Sequence, residues 1–378
     1  MTQPESRLPR LTFVSTSSSG GGAEQQVRAL ALAFRRRGWR VGVISMLPLE
    51  PLFSELRSED IAVASLGMTR GIPDPRAYIR LARILQRWRP DIVHCHMVHA
   101  NLLGRLSRLI VPRPVLVSTM HNEDEGPQWR YWAYRLTDRL GDVTTTVSLG
   151  AVEEAVRRGA APRSRIRLIP NGIDLAAFHP DAGVRKTTRQ ELDVADRFMW
   201  LAVGRLTAAK AYHDMFAAFR RVLDADSRAT LLIAGEGELE AELRATVEAS
   251  GMSREIRLLG VRPDIAALMQ AADGFVMSSA WEGLPIVLLE ASASGLPVVA
   301  TDVGGSHDAI ADGLTGYITP PGDPVALAGA MESVMAMPAD ARAAMGAAGR
   351  EHVANAFELE SIVDTWQALY DDLLAARK

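Results

Sequence analysis

Short apolar runs of Val, Ile and Leu recur along almost the whole chain, and helix-like stretches separate them. In the first half these runs are LTFVST, VGVISM, IAVASL, DIVHCHM, PVLVSTM, VTTTVS and IRLIP. In the second half they are MWLAVG, ATLLIAG, IRLLG, GFVMSS, PVVATD and GYITP. Runs that are apolar on both faces belong to strands covered on both sides. The intervening EQQVRALALAFRRRG has the apolar spacing of an amphipathic helix. Strands and helices in regular alternation point to parallel sheets with helices on both faces. Two such series in 378 residues predict two doubly wound α/β domains. Ligands of open parallel sheets bind at the carboxyl ends of strands, so two facing sheets predict one cleft between the domains.

Pro, Gly and polar residues interrupt the pattern in PNGIDLAAFHPDAGVRKTTRQ. The boundary is accordingly expected there, with one domain over residues 1–176 and a second over 177–355. The last stretch, FELESIVDTWQALYDDLLAARK, has helical periodicity. It is expected to form a helix over 356–378 that crosses back to the first domain.

Composition narrows the function. The single cysteine, Cys95, excludes an internal disulfide and fits a reducing cytoplasm. The opening MTQPESRLPR has no long apolar core of a leader, and no run reaches the roughly 18 apolar residues of a membrane span. A cytoplasmic protein is expected, with at most a peripheral membrane contact. The net charge of -3 hides an asymmetry: residues 1–170 carry 25 Lys and Arg against 15 Asp and Glu, and the remainder 17 against 30. A basic half suits phosphate or anionic lipid. Without zinc-finger spacing or an aromatic RNA-binding motif, nucleic acid is not an expected partner.

The first strand runs into SSSGGGAEQQ, where glycines permit close backbone approach and a helix N-terminus offers N–H groups to an anion. It is not GxGxxG, and no acidic residue closes the second strand, which argues against a dehydrogenase. LAVGRLTAAKAYHDM places Arg205 and Lys210 just past the first strand of the second half. Lysine occurs only at 186, 210 and 378, so an ammonium at a strand end stands out. A planar fork and a point charge together suit a diphosphate, although a solvated surface pair has the same sequence.

WEGLPIVLLEA sets Glu282 in a loop and Glu290 in the second turn of the helix that Pro285 begins and Gly295 ends. Eight helical residues would separate the carboxylates by roughly 12 Å. Glycosidase pairs need about 5–5.5 Å or 6.5–9.5 Å, so an acid/base couple is the poorer reading. Carboxylates also accept hydrogen bonds from hydroxyls, and N–H groups near Ile286 and Val287 can face a phosphate between them. A ligand with a sugar at one end, phosphates in the middle and a ribose at the other fits: a nucleotide sugar.

VGRLTAAKAY, AGEGELEAEL, EGLPIVLLE and GLPVVATDVGG, with GGGAE, STMHN and IPNGID in the first half, resemble the retaining family 4 glycosyltransferases of the GT-B fold. The likeness spans almost the whole chain. It implies two Rossmann-like domains facing across a cleft, and a nucleotide-sugar donor, most often a UDP-sugar. Arg205 and Lys210 would stabilise the departing diphosphate, so that neither a metal nor a cofactor is needed. Glu290 would hold the donor ribose and Glu282 the hydroxyls of the transferred sugar. His121 would contact that sugar, Gly22 would bring backbone near the reaction centre, and Arg262 would lie beside the base. Gly21, Gly235, Gly283, Leu284, Pro285, Ile286 and Val287 complete the implied donor site. Ala211 departs from the glycine common in the family, and a small adjustment of the helix start is expected.

The implied acceptor is a saccharide or a polyprenyl-linked saccharide in polysaccharide or lipopolysaccharide assembly. Three other readings stand beside this one. They are a soluble small-molecule glycosyltransferase, a two-domain nucleotide-sugar-binding protein without transferase activity, and a pyridoxal-dependent phosphorylase, for which no lysine has the right setting. HCHMVH sets His94 and His96 on one strand face and Cys95 on the other, a poor metal arrangement. Asn171-Gly172 reads as a turn. In QWRYWAYRL, Trp129, Tyr131, Trp132 and Tyr134 stand among Arg130 and Arg135. Rings with arginines suit an anionic membrane interface. Equally, Trp132 and Leu136, four apart, could pack the helix onto its sheet.

Overall fold

The computed structural model describes residues 8–194 and 196–377. MTQPESR, on which most of the leader expectation rests, lies outside the described residues. All seven apolar runs of the first half are strands. They are β1 (Arg10–Ser15), β2 (Arg40–Ser45), β3 (Ala62–Ser65), β4 (Ile92–His96), β5 (Val115–Met120), β6 (Val143–Thr146) and β7 (Ile166–Leu168). The six of the second half are β8 (Phe198–Val203), β9 (Ala229–Ala234), β10 (Ile256–Gly260), β11 (Gly274–Met277), β12 (Val298–Thr301) and β13 (Gly316–Thr319).

The first sheet has the order β3-β2-β1-β4-β5-β6-β7 and the second β10-β9-β8-β11-β12-β13. Every neighbouring pair is parallel. In each sheet the order reverses beside its first strand, between β1 and β4 and between β8 and β11. Loops leaving the two strands at a reversal turn to opposite faces, which opens a crevice at their carboxyl ends. The doubly wound α/β class expected from the sequence is the class that forms.

The chain divides into two compact units: one runs to Gly172 and resumes at Leu359, and the other is Ile173–Glu358. The second unit is thus inserted into the first. Its two ends lie side by side, with the Ile173 N–H donating to the Phe357 carbonyl at 2.8 Å. Within the first unit a Cβ on Gly172 would lie 3.0 Å from Leu359 Cα, so the entering and returning segments meet at backbone distance.

Period-2 alternation sends β1 side chains to both faces. Leu11 and Phe13 pack with Val27, Leu30, Ala31 and Phe34 of the helix Gly22–Arg36. Val14 joins Ile44, Leu81, Leu85 and Cys95 on the other side. The helix Leu359–Ala375 buries Leu359, Ile362, Val363, Trp366 and Tyr370 in the first of these clusters. Burying each such side chain contributes about 1.5–3 kcal/mol relative to exposure. The second sheet is packed by Trp200, Phe219, Leu231, Ile233 and Met331.

One sequence alternative is corrected here. In the helix Gln128–Thr137, Trp132 and Leu136 do not pack onto the sheet; they are 61% and 84% exposed. Tyr131 and Tyr134 point inward instead. Their hydroxyls are satisfied inside: Tyr131 Oη accepts from the Glu125 N–H at 2.8 Å, and Tyr134 Oη accepts from Asn101 Nδ2 at 2.8 Å.

Candidate active site

In the second unit, β8 ends at Val203 and the chain turns through Arg205 into a short 3-10 turn, Ala208–Lys210. β11 ends at Met277, and Ser278–Pro285 leads to the helix Ile286–Ala293. The sheet reversal brings these two loops together. Ser278 Oγ donates to the Lys210 carbonyl at 2.7 Å, and the Ala280 N–H donates to the Ala209 carbonyl at 2.8 Å. So anchored, Lys210 Nζ donates to Glu282 Oε1 at 2.5 Å, and Ser279 Oγ donates to the same oxygen at 2.8 Å.

The Lys210 and Glu282 side chains are only 17% and 18% exposed. Neither charge would be stable there alone. An ammonium has three protons, and Glu282 takes one, so Lys210 keeps donors for a second anion. Glycines set the geometry. A Cβ on Gly204 would lie 2.8 Å from Lys210 Cε, and one on Gly235 (φ +147°) would lie 2.0 Å from the Gly204 carbonyl oxygen. The Gly283 carbonyl accepts from the Gly305 N–H at 2.5 Å, and Leu284 Cδ1 lies against Gly305.

Arg205 is exposed and makes no ion pair among the described residues. The helix after Pro285 carries no side-chain cap, so the first-turn N–H groups of Ile286 and Val287 have neither an intrahelical partner nor a capping side chain. Glu290 is half-buried on the same helix, and burial pushes its carboxyl up to about 7. Arg262 is bound by Asp264 through two hydrogen bonds, at 2.7 and 2.5 Å. Ala211 keeps a left-handed conformation (φ 45°, ψ 47°) ahead of the helix Tyr212–Ala225. A glycine would adopt that conformation without strain, so the alanine carries backbone strain there.

In the first unit, Gly21 precedes the helix that Gly22 opens. The buried Glu24 carboxylate accepts from Ser17 Oγ, and a Cβ on Gly21 would lie 2.7 Å from Glu24 Oε2. The glycine thus has a packing reason of its own. β4 delivers His94 and His96, and His121 follows β5. His96 Nδ1 and His121 Nε2 share a hydrogen bond of 2.8 Å. Burial drives His94 and His96 well below the usual histidine value and brings His121 down to about 4.

His94 has both nitrogens engaged, by Tyr370 Oη at 2.7 Å and Thr119 Oγ1 at 2.6 Å. Neither is left for a metal. Among the described residues no group of three or more His, Cys, Asp or Glu side chains is set to hold a metal ion.

Several of these residues escaped the sequence reading. Ser278 and Ser279, which hold Lys210 and Glu282, lie in GFVMSS but carried no recognisable signal. His96 is weighed in the sequence only against a metal site and not as the partner of His121. Glu125 is buried in the loop after His121, and burial raises its carboxyl to about 7. The acids of HNEDEG immediately following His121 were the available hint.

Residues 184–352 match the family model of glycosyl transferases group 1, and residues 20–177 match that of glycosyltransferase family 4. The chain is similar to a glycogen synthase of Mycobacterium tuberculosis, 29% identical, covering 95% of this chain and 92% of that protein. It is similar to a UDP-Gal:alpha-D-GlcNAc-diphosphoundecaprenol alpha-1,3-galactosyltransferase of Escherichia coli, 26% identical over 65% of this chain and 67% of that protein. Among solved structures, Anabaena Alr3699/HepE in complex with UDP and glucose superposes with a TM-score of 0.86 at 20% identity, covering 96% of this chain and all (100%) of that one. That last likeness establishes the GT-B fold.

Proposed function

This chain belongs to the family 4 glycosyltransferases of the GT-B fold, and on that premise we propose that it transfers a sugar from a UDP-sugar with retention of configuration and without a metal. The acceptor is a saccharide or a lipid-linked saccharide. The Lys210–Glu282 contact beside an uncapped helix N-terminus is the observation that carries the reading. Lys210 and the exposed Arg205 offer positive charge to a diphosphate whose negative charge grows as the glycosidic bond breaks. The N–H groups of Ile286 and Val287 offer dipoles to the same group. Glu282 accepts from sugar hydroxyls and Glu290 from the ribose. A UDP donor is supported by the UDP-Gal-dependent relative and by the UDP-bound neighbour.

The test is a screen of nucleotide sugars against the purified protein, with and without lipid-linked acceptors, read by mass spectrometry. Transfer with an α-configured product from an α-configured donor supports the reading. Donor binding with neither transfer nor hydrolysis under any acceptor would favour a binding protein. An inverted product would overturn the mechanism.

A lipid-linked acceptor gains support from the face that Trp132 and Leu136 leave uncovered. Trp129, 51% exposed, stands three residues before Trp132 and seven before Leu136, so all three share one side of the helix Gln128–Thr137. Exposed Arg135 and Arg139 flank them. Rings and cations so arranged suit an anionic bilayer surface, each cation contributing about 1 kcal/mol. Among the described residues no helix is long and apolar enough to cross a membrane. Flotation with anionic liposomes should carry the protein upward at low salt and release it at high salt. Sedimentation in both conditions would remove the docking face.

A further inference from the structure

Three buried side chains of the first unit, Tyr370, His94 and His96, lead in a line to His121, and the donor chemistry leaves those three unexplained. Tyr370 is on the helix Leu359–Ala375, and His94 and His96 are both on β4. Tyr370 Oη to His94 Nδ1 is 2.7 Å, the His94 and His96 rings meet at a 37° tilt with centroids 4.0 Å apart, and His96 Nδ1 to His121 Nε2 is 2.8 Å.

Proton counting assigns the direction of each bond. The Tyr370 phenol is fully buried, and His94 is its partner among the described residues, so the phenol proton goes to His94 Nδ1. His94 is then protonated on Nε2 and donates to Thr119 Oγ1, which lies 2.6 Å from Thr145 Oγ1 and can pass its own proton on. The His96–His121 bond joins two neutral rings and holds one proton. His96 Nε2 is buried without a partner. If His121 were the donor, His96 would carry its proton on that orphaned nitrogen. If His96 is the donor, the orphan is a lone pair. Orphaned buried N–H groups are the rarer and costlier of the two.

We propose that His96 is a positioning residue that donates its Nδ1 proton to His121 and so fixes His121 as the Nδ1–H tautomer. His121 then presents its other ring nitrogen, which has no partner among the described side chains, as a neutral hydrogen-bond donor to an oxygen of the bound saccharide. The ligand's identity rests on the glycosyltransferase reading; the tautomer does not. A ring held this way offers a hydroxyl oxygen one fixed N–H, and it rejects a group that must itself donate. Tyr370 and His94 form the far end of the line, where the tilted His94 ring packs against His96.

The experiment is a long-range proton–nitrogen NMR spectrum of the full chain labelled with 15N-histidine, recorded without ligand. His121 should show a protonated Nδ1 and an unprotonated Nε2. A protonated Nε2 in the wild-type protein overturns the proposal at once, whatever the activity. His96→Asn keeps an amide donor near the Nδ1 position and should preserve the His121 pattern. His96→Leu removes the donor and should release His121 to the mixed tautomers of a free imidazole. In transfer assays His96→Leu should lower turnover about tenfold with a smaller change in the donor KM, and His96→Asn should restore most of it. An unchanged His121 tautomer in a folded His96→Leu protein also defeats the idea. If the tautomer results hold and no nucleotide sugar is a substrate, the glycosyltransferase reading fails while the positioning role stands.

Discussion

The two sheets reverse strand order at equivalent places, yet the strand ends there carry opposite chemistry. In the second unit they carry charge: Arg205 makes no ion pair among the described residues, Lys210 is tied to Glu282, and the helix after Pro285 has no side-chain cap. In the first, burial holds the rings of His94, His96 and His121 neutral, and it pushes the Glu125 carboxyl up to about 7, as it does Glu290 in the second unit. One topology serves both because the reversal supplies only a crevice, and burial then decides which protonation states survive in it. The charged end is suited to a diphosphate and the neutral end to the hydroxyls of a saccharide.

Lys210→Ala should break the charged side most. Turnover should fall roughly 10²–10³-fold, as for other preorganised electrostatic groups, with less change in donor KM. Steady-state transfer kinetics would show it, and near-normal turnover would dismiss the diphosphate role. Arg205→Ala should act in the same direction.

Acid titration sharpens the neutral side. Burial lowers His121 from its ordinary 6.5 to about 4, so the folded state favours the uncharged ring. The stability this contributes is complete above 6.5 and is lost as pH falls toward 4, about 3 kcal/mol in all. Glu125 runs the other way, raised from 4.5 to about 7. Its contribution is complete below 4.5 and is lost as pH rises through 7. Urea unfolding of His121→Gln should show a smaller loss between pH 6.5 and 4 than wild type. Glu125→Gln should instead flatten the change between 4.5 and 7. Curves parallel to wild type would show that these groups are not held neutral.

Glu290→Ala should raise the donor KM about tenfold with turnover nearly kept, the loss of one buried hydrogen bond. A fall in turnover alone would move Glu290 from ribose binding to the chemical step.

The smallest effect is expected at Ala211. Glycine relieves the left-handed strain there and suits the position before a helix, against a modest entropy cost in the unfolded chain. Ala211→Gly should stabilise by about 0.5–1 kcal/mol in thermal unfolding. Destabilisation would mean that the conformation is not strained.

Strand positions were readable because burial on both faces leaves an unbroken apolar run, and each such run proved to be a strand. Lys210, Glu282 and Glu290 were readable as candidates because their motif is local. Their contacts were not. Lys210 meets Glu282 across a strand order in which β11 sits beside β8, 72 residues on, and nothing periodic announces that pairing. His96 meets His121 across the consecutive strands β4 and β5, where the register that sets His96 beside Thr119 is equally unannounced. The helix Gln128–Thr137 failed differently, since it carries two apolar stripes. From the sequence, Trp132 and Leu136, four apart, suit an inward face as well as a membrane-facing one. The tyrosines went inside because Asn101 and the Glu125 N–H meet their hydroxyls.

The insertion of one unit into the other has a consequence for synthesis. When the ribosome has released β7, the face of the first sheet that Tyr370 and Trp366 will cover is still bare, because the helix Leu359–Ala375 is made after the whole inserted unit. The inserted unit has its own core and both ends together, so it can close while the older sheet waits. The part of the protein translated first is therefore completed last. Until then the apolar side chains beneath that helix are open to chaperones, and a chain that stalls before Leu359 would leave a finished second unit on an unfinished first.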